Sequence, residues 1–277
     1  MVVQHNMQAV NTNRMLGQNV KAVAKTTEKL SSGYRVNRAA DDAAGLSISE
    51  KMRNQIRGIN QAVNNAEDGV SLIQTAEGNM NEIHSILQRM GELATKAAND
   101  VNASEDRTAI QAEINELGKE IDAISSKAMF NGTKLLNGSF AGKFLQVGAN
   151  EGENMEITIK SMNCTGLFGA TGASIAAKLD MASHGSASKS MSLISSAIKT
   201  VSTARSELGA KQNRLEYTIN NLENYSENLT SAESTIRDTD MAATMTNYTK
   251  NNILQQAAQS MLAQANQSTQ GVLSLLQ

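Results

Sequence analysis

The sequence has no proline and no tryptophan, a single cysteine, and aromatic residues at only 3% of its 277 positions, four Phe and four Tyr. Each shortage excludes something. Without proline, nothing forbids very long helices. A compact enzyme of this length usually packs several large rings into its core, and these are scarce here. One cysteine, Cys164, rules out an intrachain disulfide framework and a Cys-rich metal site. With 25 basic and 27 acidic residues the net charge is −2, so no basic footprint for nucleic acid exists. There is no apolar run of the roughly 18 residues a membrane-crossing helix needs, and no membrane partner is expected. The opening MVVQHNMQAVNTNRML lacks a basic start followed by an apolar core, so it does not read as a secretory leader.

What the chain does have is heptads. Apolar residues make up 40% of it, mostly Ala, Leu, Ile, Val and Met. Both ends are almost free of charge: only Arg14 is charged in residues 1–20 and only Lys250 in 241–277. Near the start, Val3, Met7 and Val10 step by four and three. After a phase slip the pattern resumes at Leu16, Val20, Val23, Thr27 and Leu30. Near the end the run is Leu254, Ala258, Met261, Ala265, Ser268, Val272 and Leu275, a coiled-coil rhythm. Residues 45–98 hold one stripe (Ile56, Ile59, Val63, Ala66, Val70, Ile73, Met80, His84, Leu87, Ala94, Ala98) beside a second (Leu72, Ala76, Ile83, Ile86, Met90, Leu93, Ala97). A helix with two stripes packs against more than one neighbour, and this one would span roughly 80 Å. Residues 104–128 step through Ile110, Ile114, Leu117, Ile121, Ile124 and Ala128, with Ser104 as the expected cap ahead of Glu105 and Asp106. Residues 190–237 place Val201, Leu208, Leu215, Leu222, Leu229 and Ile236 every seventh position, with Ala197, Ala204, Tyr225 and Ala232 as a partial second column.

Only residues 130–180 read differently. FNGTKLLNG carries two Asn-Gly pairs, which favour tight turns, and FLQVGANEGENMEITIK alternates with a period of two. The expected fold class is mainly α: a long antiparallel coiled-coil helix bundle, a rod with a small β-hairpin element at its tip. Residues 161–190 are rich in small residues and read as loop plus a short helix.

Chemistry is missing throughout. No Gly-x-x-x-x-Gly-Lys-Ser/Thr phosphate loop or Gly-x-Gly-x-x-Gly fingerprint occurs, and GLFGATG at 166–172 lacks the lysine that would follow. His5, His84 and His184 lie far apart, and none sits in His-Glu-x-x-His. His84 falls on a helical seam and reads as packed and hydrogen-bonded. Asp41 and Asp42 lack the alternating oxygens of a calcium loop and read as a helix cap or ion-pair partners. No cofactor, no metal and no catalytic residue is expected.

Residues 30–50, LSSGYRVNRAADDAAGLSISE, form a polar connector between two helices, read either as a solvated loop or as a linker that docks onto neighbouring subunits. At this point a resemblance emerges. LSSGYRVNRAADDAAGLSIS is similar to the most characteristic N-terminal stretch of bacterial flagellins. NNILQQAAQSMLAQANQSTQGVLSLLQ and NLTSAESTIRDTDMA resemble their C-terminal stretches, and FNGTKLL with FLQVGANEGE resembles their β-hairpin region. The resemblance covers about residues 1–160 and 190–277.

The resemblance implies a structural subunit that polymerises with itself into the flagellar filament for motility. On that expectation, residues 1–40 and 241–277 are the paired terminal coiled coil of an inner tube. Residues 41–160 and 190–240 form a helical rod domain with a β-hairpin near 130–160, and 161–189 is a reduced variable surface segment. The implied partners are the flagellar cap and hook-associated proteins and a flagellar export chaperone. The implied location is the extracellular flagellum, reached by type III export. Matched uncharged seams suggest that Leu254, Met261, Val272 and Leu275 face Val3, Met7, Val10 and Leu16 as the assembly surface.

Many flagellins are also recognised by the innate receptor Toll-like receptor 5. In the matching stretch, Gln88, Arg89 and Leu93, with Glu113 on the next helix, are the implied contacts. Gly91 departs from the charged residue common there and weakens a helix by about 1 kcal/mol. The alternatives are a hook–filament junction protein, a minor flagellin, or a secreted monomer whose task is receptor engagement. Proteolytic flagellins are excluded, because the short insert has no zinc motif.

Overall fold

A computed structural model describes residues 6–274, without the side chains of 173–174 and 269–274. Its elements are α1 (Met7–Ser32), α2 (Ala43–Ala97), α3 (Ser104–Lys127), strands β1 (Met129–Phe130), β2 (Thr133–Lys134), β3 (Lys143–Gln146) and β4 (Asn154–Ile157), α4 (Cys164–Phe168), a 3₁₀ turn (Gly172–Ala177), α5 (His184–Arg237) and α6 (Met241–Ser274). The expected class holds: long helices with two small antiparallel strand pairs. The chain divides into two compact units, residues 57–226 and residues 1–56 with 227–277.

The 57–226 unit contains the main core. Along α2, Ile59, Ala62, Ala66, Gly69, Ile73, Ala76, Met80, Ile83, Leu87, Met90, Ala94 and Ala97 are buried, in unbroken steps of three and four. This is one seam drawn from both stripes of the sequence pattern. The half-buried Val63, Val70, Leu72, His84, Ile86 and Ala98 flank it. On α5, Ala187, Ser190, Ile194, Ala197, Val201, Ala204, Leu208 and Leu215 keep the same rhythm. Tyr225, expected in a seam, is 48% exposed. Asn60 bonds Ser226, Glu77 pairs with Arg205, and His184 Nδ1 meets the Ala98 carbonyl oxygen at 2.6 Å. Rising numbers on α2 thus meet falling numbers on α5, so the two helices run antiparallel.

On α3 the buried row is Ile110, Ile114, Gly118, Ile121 and Ser125, with Leu117 and Ile124 only half-buried. Gly118 is in the row because another segment lies against it. A Cβ there would meet Ile175 Cδ1 at 2.9 Å. Residues 162–181 carry Met162, Cys164, Phe168, Ile175, Leu179 and Met181 into the same core. Asp122 fixes them to α3: its two carboxylate oxygens accept the backbone N–H groups of Cys164 at 2.8 Å and Gly172 at 2.6 Å. The cap of α3 also differs from expectation. Ser104 is the first helical residue, and Asp106 accepts the N–H of Ala103, the residue before it.

β1 and β2 pair across Asn131-Gly132, both at positive φ (47° and 76°), the geometry that makes Asn-Gly the favoured two-residue turn. β3 and β4 pair from Lys143↔Ile157 to Gln146↔Asn154. This second hairpin lies along the helices. Asn65 donates to the Gln146 carbonyl, Lys211 donates to the Glu156 carbonyl, and Leu145 and Ala149 fill the space left by Gly69 and Gly58. The α2–α3 turn, where Arg107 bonds the Asn99 carbonyl and Asp100, is at the opposite end of this unit. Those two glycines leave room on α2 for the hairpin to lie close against it.

Candidate assembly and recognition surfaces

Among its described residues the other unit has few buried ones, and the pairing of α1 with α6 dominates it. On α1 the inward positions are Ala9, Thr12, Leu16, Asn19, Val23, Thr26 and Leu30. On α6 they are Thr244, Tyr248, Asn251, Gln255, Ala258, Leu262 and Ala265. Both rows step by three and four without a slip. Asn6 Nδ2 donates to the Ala265 carbonyl at 2.9 Å, Asn19 Nδ2 donates to the Leu254 carbonyl at 3.3 Å, and Tyr34 bridges Asp238, so the pair is antiparallel.

The seam is therefore made largely of small, hydroxyl and amide side chains. Leu16, Val23, Leu30 and Leu262 are its large apolar members, while Met7 (70% exposed), Val10 (63%), Met261 (62%) and Leu254 (42%) point outward, together with Val20, Met245 and Ile253. Leu16 is the one assembly candidate in the seam. The expected facing of Met7 and Val10 with Leu254 and Met261 is thus replaced by a pairing one position away on α6 (Gln255 for Leu254, Leu262 for Met261) and without the phase slip on α1. Val3 and Leu275, and the side chain of Val272, lie outside the described residues.

The connectors at the base of this pair were legible only in part. Gly33 closes α1 at φ +76°, its N–H bonding the Lys29 carbonyl. Asp42 caps α2 through the Gly45 N–H, and Asp41 pairs with Lys25 at 2.6 Å and accepts the Arg38 N–H. These contacts hold the carboxyl of Asp41 below the usual range, chiefly the bond from Lys25. Nothing in the residue pattern announces the contacts between the two connectors. The Arg35 N–H donates to the Arg237 carbonyl at 2.7 Å, the Thr239 N–H to the Gly33 carbonyl at 3.0 Å, and Arg35 Nη2 to the Ile236 carbonyl at 2.6 Å. The Arg237 guanidinium stacks on the Tyr34 ring, 4.6 Å from its centroid. Fully buried Ser49 donates to Glu233 at 3.0 Å.

In the 57–226 unit the four receptor candidates share one patch of α2 and α3. Arg89 donates to Glu113 from Nε (3.1 Å) and Nη2 (3.0 Å), and to Glu92 from Nη1 at 3.2 Å. These bonds raise the guanidinium pKa, Glu113 most. Gln88 is exposed and meets His84 Nε2 at 3.1 Å. Leu93 is only 4% exposed and belongs to the core beneath them. Arg89, Glu92, Leu93, Lys96, Asp106 and Glu113 line an open groove of about 500 Å³.

The groups that elsewhere carry chemistry are engaged or isolated here. Cys164 is buried, its Sγ against the Gly118 carbonyl at 3.2 Å, and loss of water with Asp122 beside it pushes the thiol up to about 12. Among the described residues no cluster of three His, Cys, Asp or Glu side chains could hold a metal, and no helix is long and apolar enough to cross a membrane.

Known proteins match this sequence over its whole length. Residues 3–141 match the bacterial flagellin N-terminal helical region, and residues 191–276 match the C-terminal helical region. The flagellin of Halalkalibacterium halodurans is 50% identical over 276 residues, covering all of both chains. The flagellar filament 31.3 kDa core protein of Treponema maltophilum is 45% identical over 287 residues, again end to end. The crystal structure of Bacillus cereus flagellin covers 57% of this chain and 88% of its own, at 27% identity and a TM-score of 0.50. A chain with both helical regions, and a half-identical relative along its entire length, belongs to the flagellin family.

Proposed function

We propose that the chain polymerises with copies of itself into the flagellar filament, as a structural subunit without catalysis, and that the outward side chains of α1 and α6 carry the contacts. One observation supports this above the others. Met7, Val10, Leu254 and Met261 are exposed while small, hydroxyl and amide side chains take most places in the seam between the helices. A lone soluble chain gains nothing from that arrangement, and stacked copies bury the exposed side. Cap and hook-associated proteins at the filament's ends, and an export chaperone before assembly, are the further partners that fit these nearly charge-free terminal stretches. The filament's location is outside the cell.

Electron microscopy of the heat-dissociated chain after cooling, with and without short filament seeds, tests the proposal. Long uniform tubes are the expected result. Only monomers or short caps, even with seeds, would favour the hook–filament junction or minor-flagellin reading. Replacing Met261 by Glu is expected to block elongation while circular dichroism still reports folded α2, α3 and α5; normal tubes from this variant would overturn the assembly surface.

A second proposal concerns recognition by Toll-like receptor 5. What supports it is that Arg89 and Glu113 form an exposed ion pair across α2 and α3, with exposed Gln88 next to Arg89 in the chain. Leu93 acts in it as the buried floor. Arg89→Ala and Glu113→Ala should each reduce receptor signalling with unchanged melting. Leu93→Ala should lower stability by about 2–5 kcal/mol, the usual cost of emptying a core leucine site. Full signalling from both surface variants would discard the patch.

A further inference from the structure

We propose that the strip joining Gly33–Arg35 to Ile236–Thr239 sets the register of the α1–α6 pair, with Tyr34 and Arg237 as its positioning residues. The seam itself discriminates poorly. It repeats every seven residues, and its side chains are mostly small or polar. Sliding α6 by one heptad keeps its inward row on the inward row of α1, moving Ala258 into the place of Ala265, Gln255 into that of Leu262 and Asn251 into that of Ala258. The first exchange is neutral, and the two amides stay partly solvated in a half-exposed seam, so the penalty falls mainly on Leu262, and a coiled coil settles such a choice with a specific polar lock. The amides of Asn19 and Asn6 bond across the seam, but Asn19 does so at 3.3 Å, and Asn6 lies at the far end, beside Ala265.

Chain connection does not prevent the slip either. One heptad of helix is about 10 Å, and the ten-residue linker between α1 and α2 could stretch to roughly 33 Å. The contacts Lys25–Asp41 and Glu28–Arg38 tie that linker back to α1 itself and would travel with it. The strip fixes α1 against α6. The Arg35 N–H to Arg237, the Thr239 N–H to Gly33, Arg35 Nη2 to Ile236 and the Tyr34–Arg237 stack all hold one alignment and none survives a slip of seven residues. Thr239 lies immediately before Asp240, whose side chain caps α6 through the Ala243 N–H. The strip therefore transmits its alignment directly into the first turn of that helix.

Disulfide mapping tests this on the full-length chain with Cys164 replaced by Ser. The pair Asn6→Cys with Ala265→Cys, residues in contact across the seam, reports the observed register, and Asn6→Cys with Ala258→Cys reports the slipped one. With the strip intact, mild oxidation should link only the first pair. In a Tyr34→Ala/Arg237→Ala background, which removes the stack, and separately with Thr239→Pro to remove one N–H, the slipped product should rise by about tenfold, the effect of losing one cation–π contact or one net hydrogen bond. Proline is tolerated there, since the position before it is already extended in the Tyr34–Asp238 bridge. A single register in both strip variants would overturn the proposal, as would slippage appearing instead with Asn19→Leu and an intact strip. The crosslinks form within one chain, so failure to polymerise does not obscure the result.

Discussion

Asp122 and Cys164 show how much one side chain can organise. The carboxylate holds two backbone N–H groups from a segment 42 and 50 residues later. Asp122→Ala should destabilise the 57–226 unit by about 2–3 kcal/mol, the range for charge-assisted bonds, with thermal melting as the measurement. The thiol gives a pH signature. Unfolded, it loses its proton near 9.0; folded, only near 12. A group raised in this way contributes stability that is complete below pH 9 and disappears as pH climbs towards 12. Denaturant titrations across that window should therefore fall more steeply for the native chain than for Cys164→Ala. At pH 8 a thiol reagent should label the folded chain far more slowly than the unfolded one.

At the scale of elements, the helices were legible because their cores follow heptads, and periodicity survives even when the exact stripe is misjudged. The α1–α6 seam was misread for a physical reason. Sequence periodicity assumes the apolar letters point inward, and here Ala9, Thr12, Asn19, Asn251 and Gln255 face the partner helix while Met7 and Met261 do not. The burial of residues 162–181 was also out of sight. Their small-residue composition resembles a loop, and the signal that seats them is a glycine on another helix, Gly118. Two glycine replacements separate these effects. At Gly91 an added Cβ meets only Ile194 Cγ2 at 3.8 Å, so Gly91→Ala should stabilise by about 0.5–1 kcal/mol. At Gly118 it meets Ile175 at 2.9 and 3.2 Å, so Gly118→Ala should destabilise by about 1–3 kcal/mol despite the better helix former. Melting temperatures that move the same way would contradict both accounts.

The molecule as a whole distributes its core unevenly. Residues 57–226 hold a continuous cluster from Ala66 to Leu215, whereas the other unit buries only a handful of side chains, among them Val36, Ser49, Thr244 and Ala265. Unpolymerised chain should consequently unfold in two calorimetric steps, the terminal unit first, and limited proteolysis should leave a resistant fragment within 57–226. One transition, with cleavage spread evenly, would contradict this. The outward placement of Met7, Val10, Ile253 and Met261 has a consequence for inheritance as well. Exchanging any of them for glutamine leaves the folding of a solitary chain almost untouched, so selection for a well-behaved monomer is blind to these positions. A mutation there spreads or is purged solely by what many copies do together, and a survey of variants scored on single molecules would record these residues as free to drift.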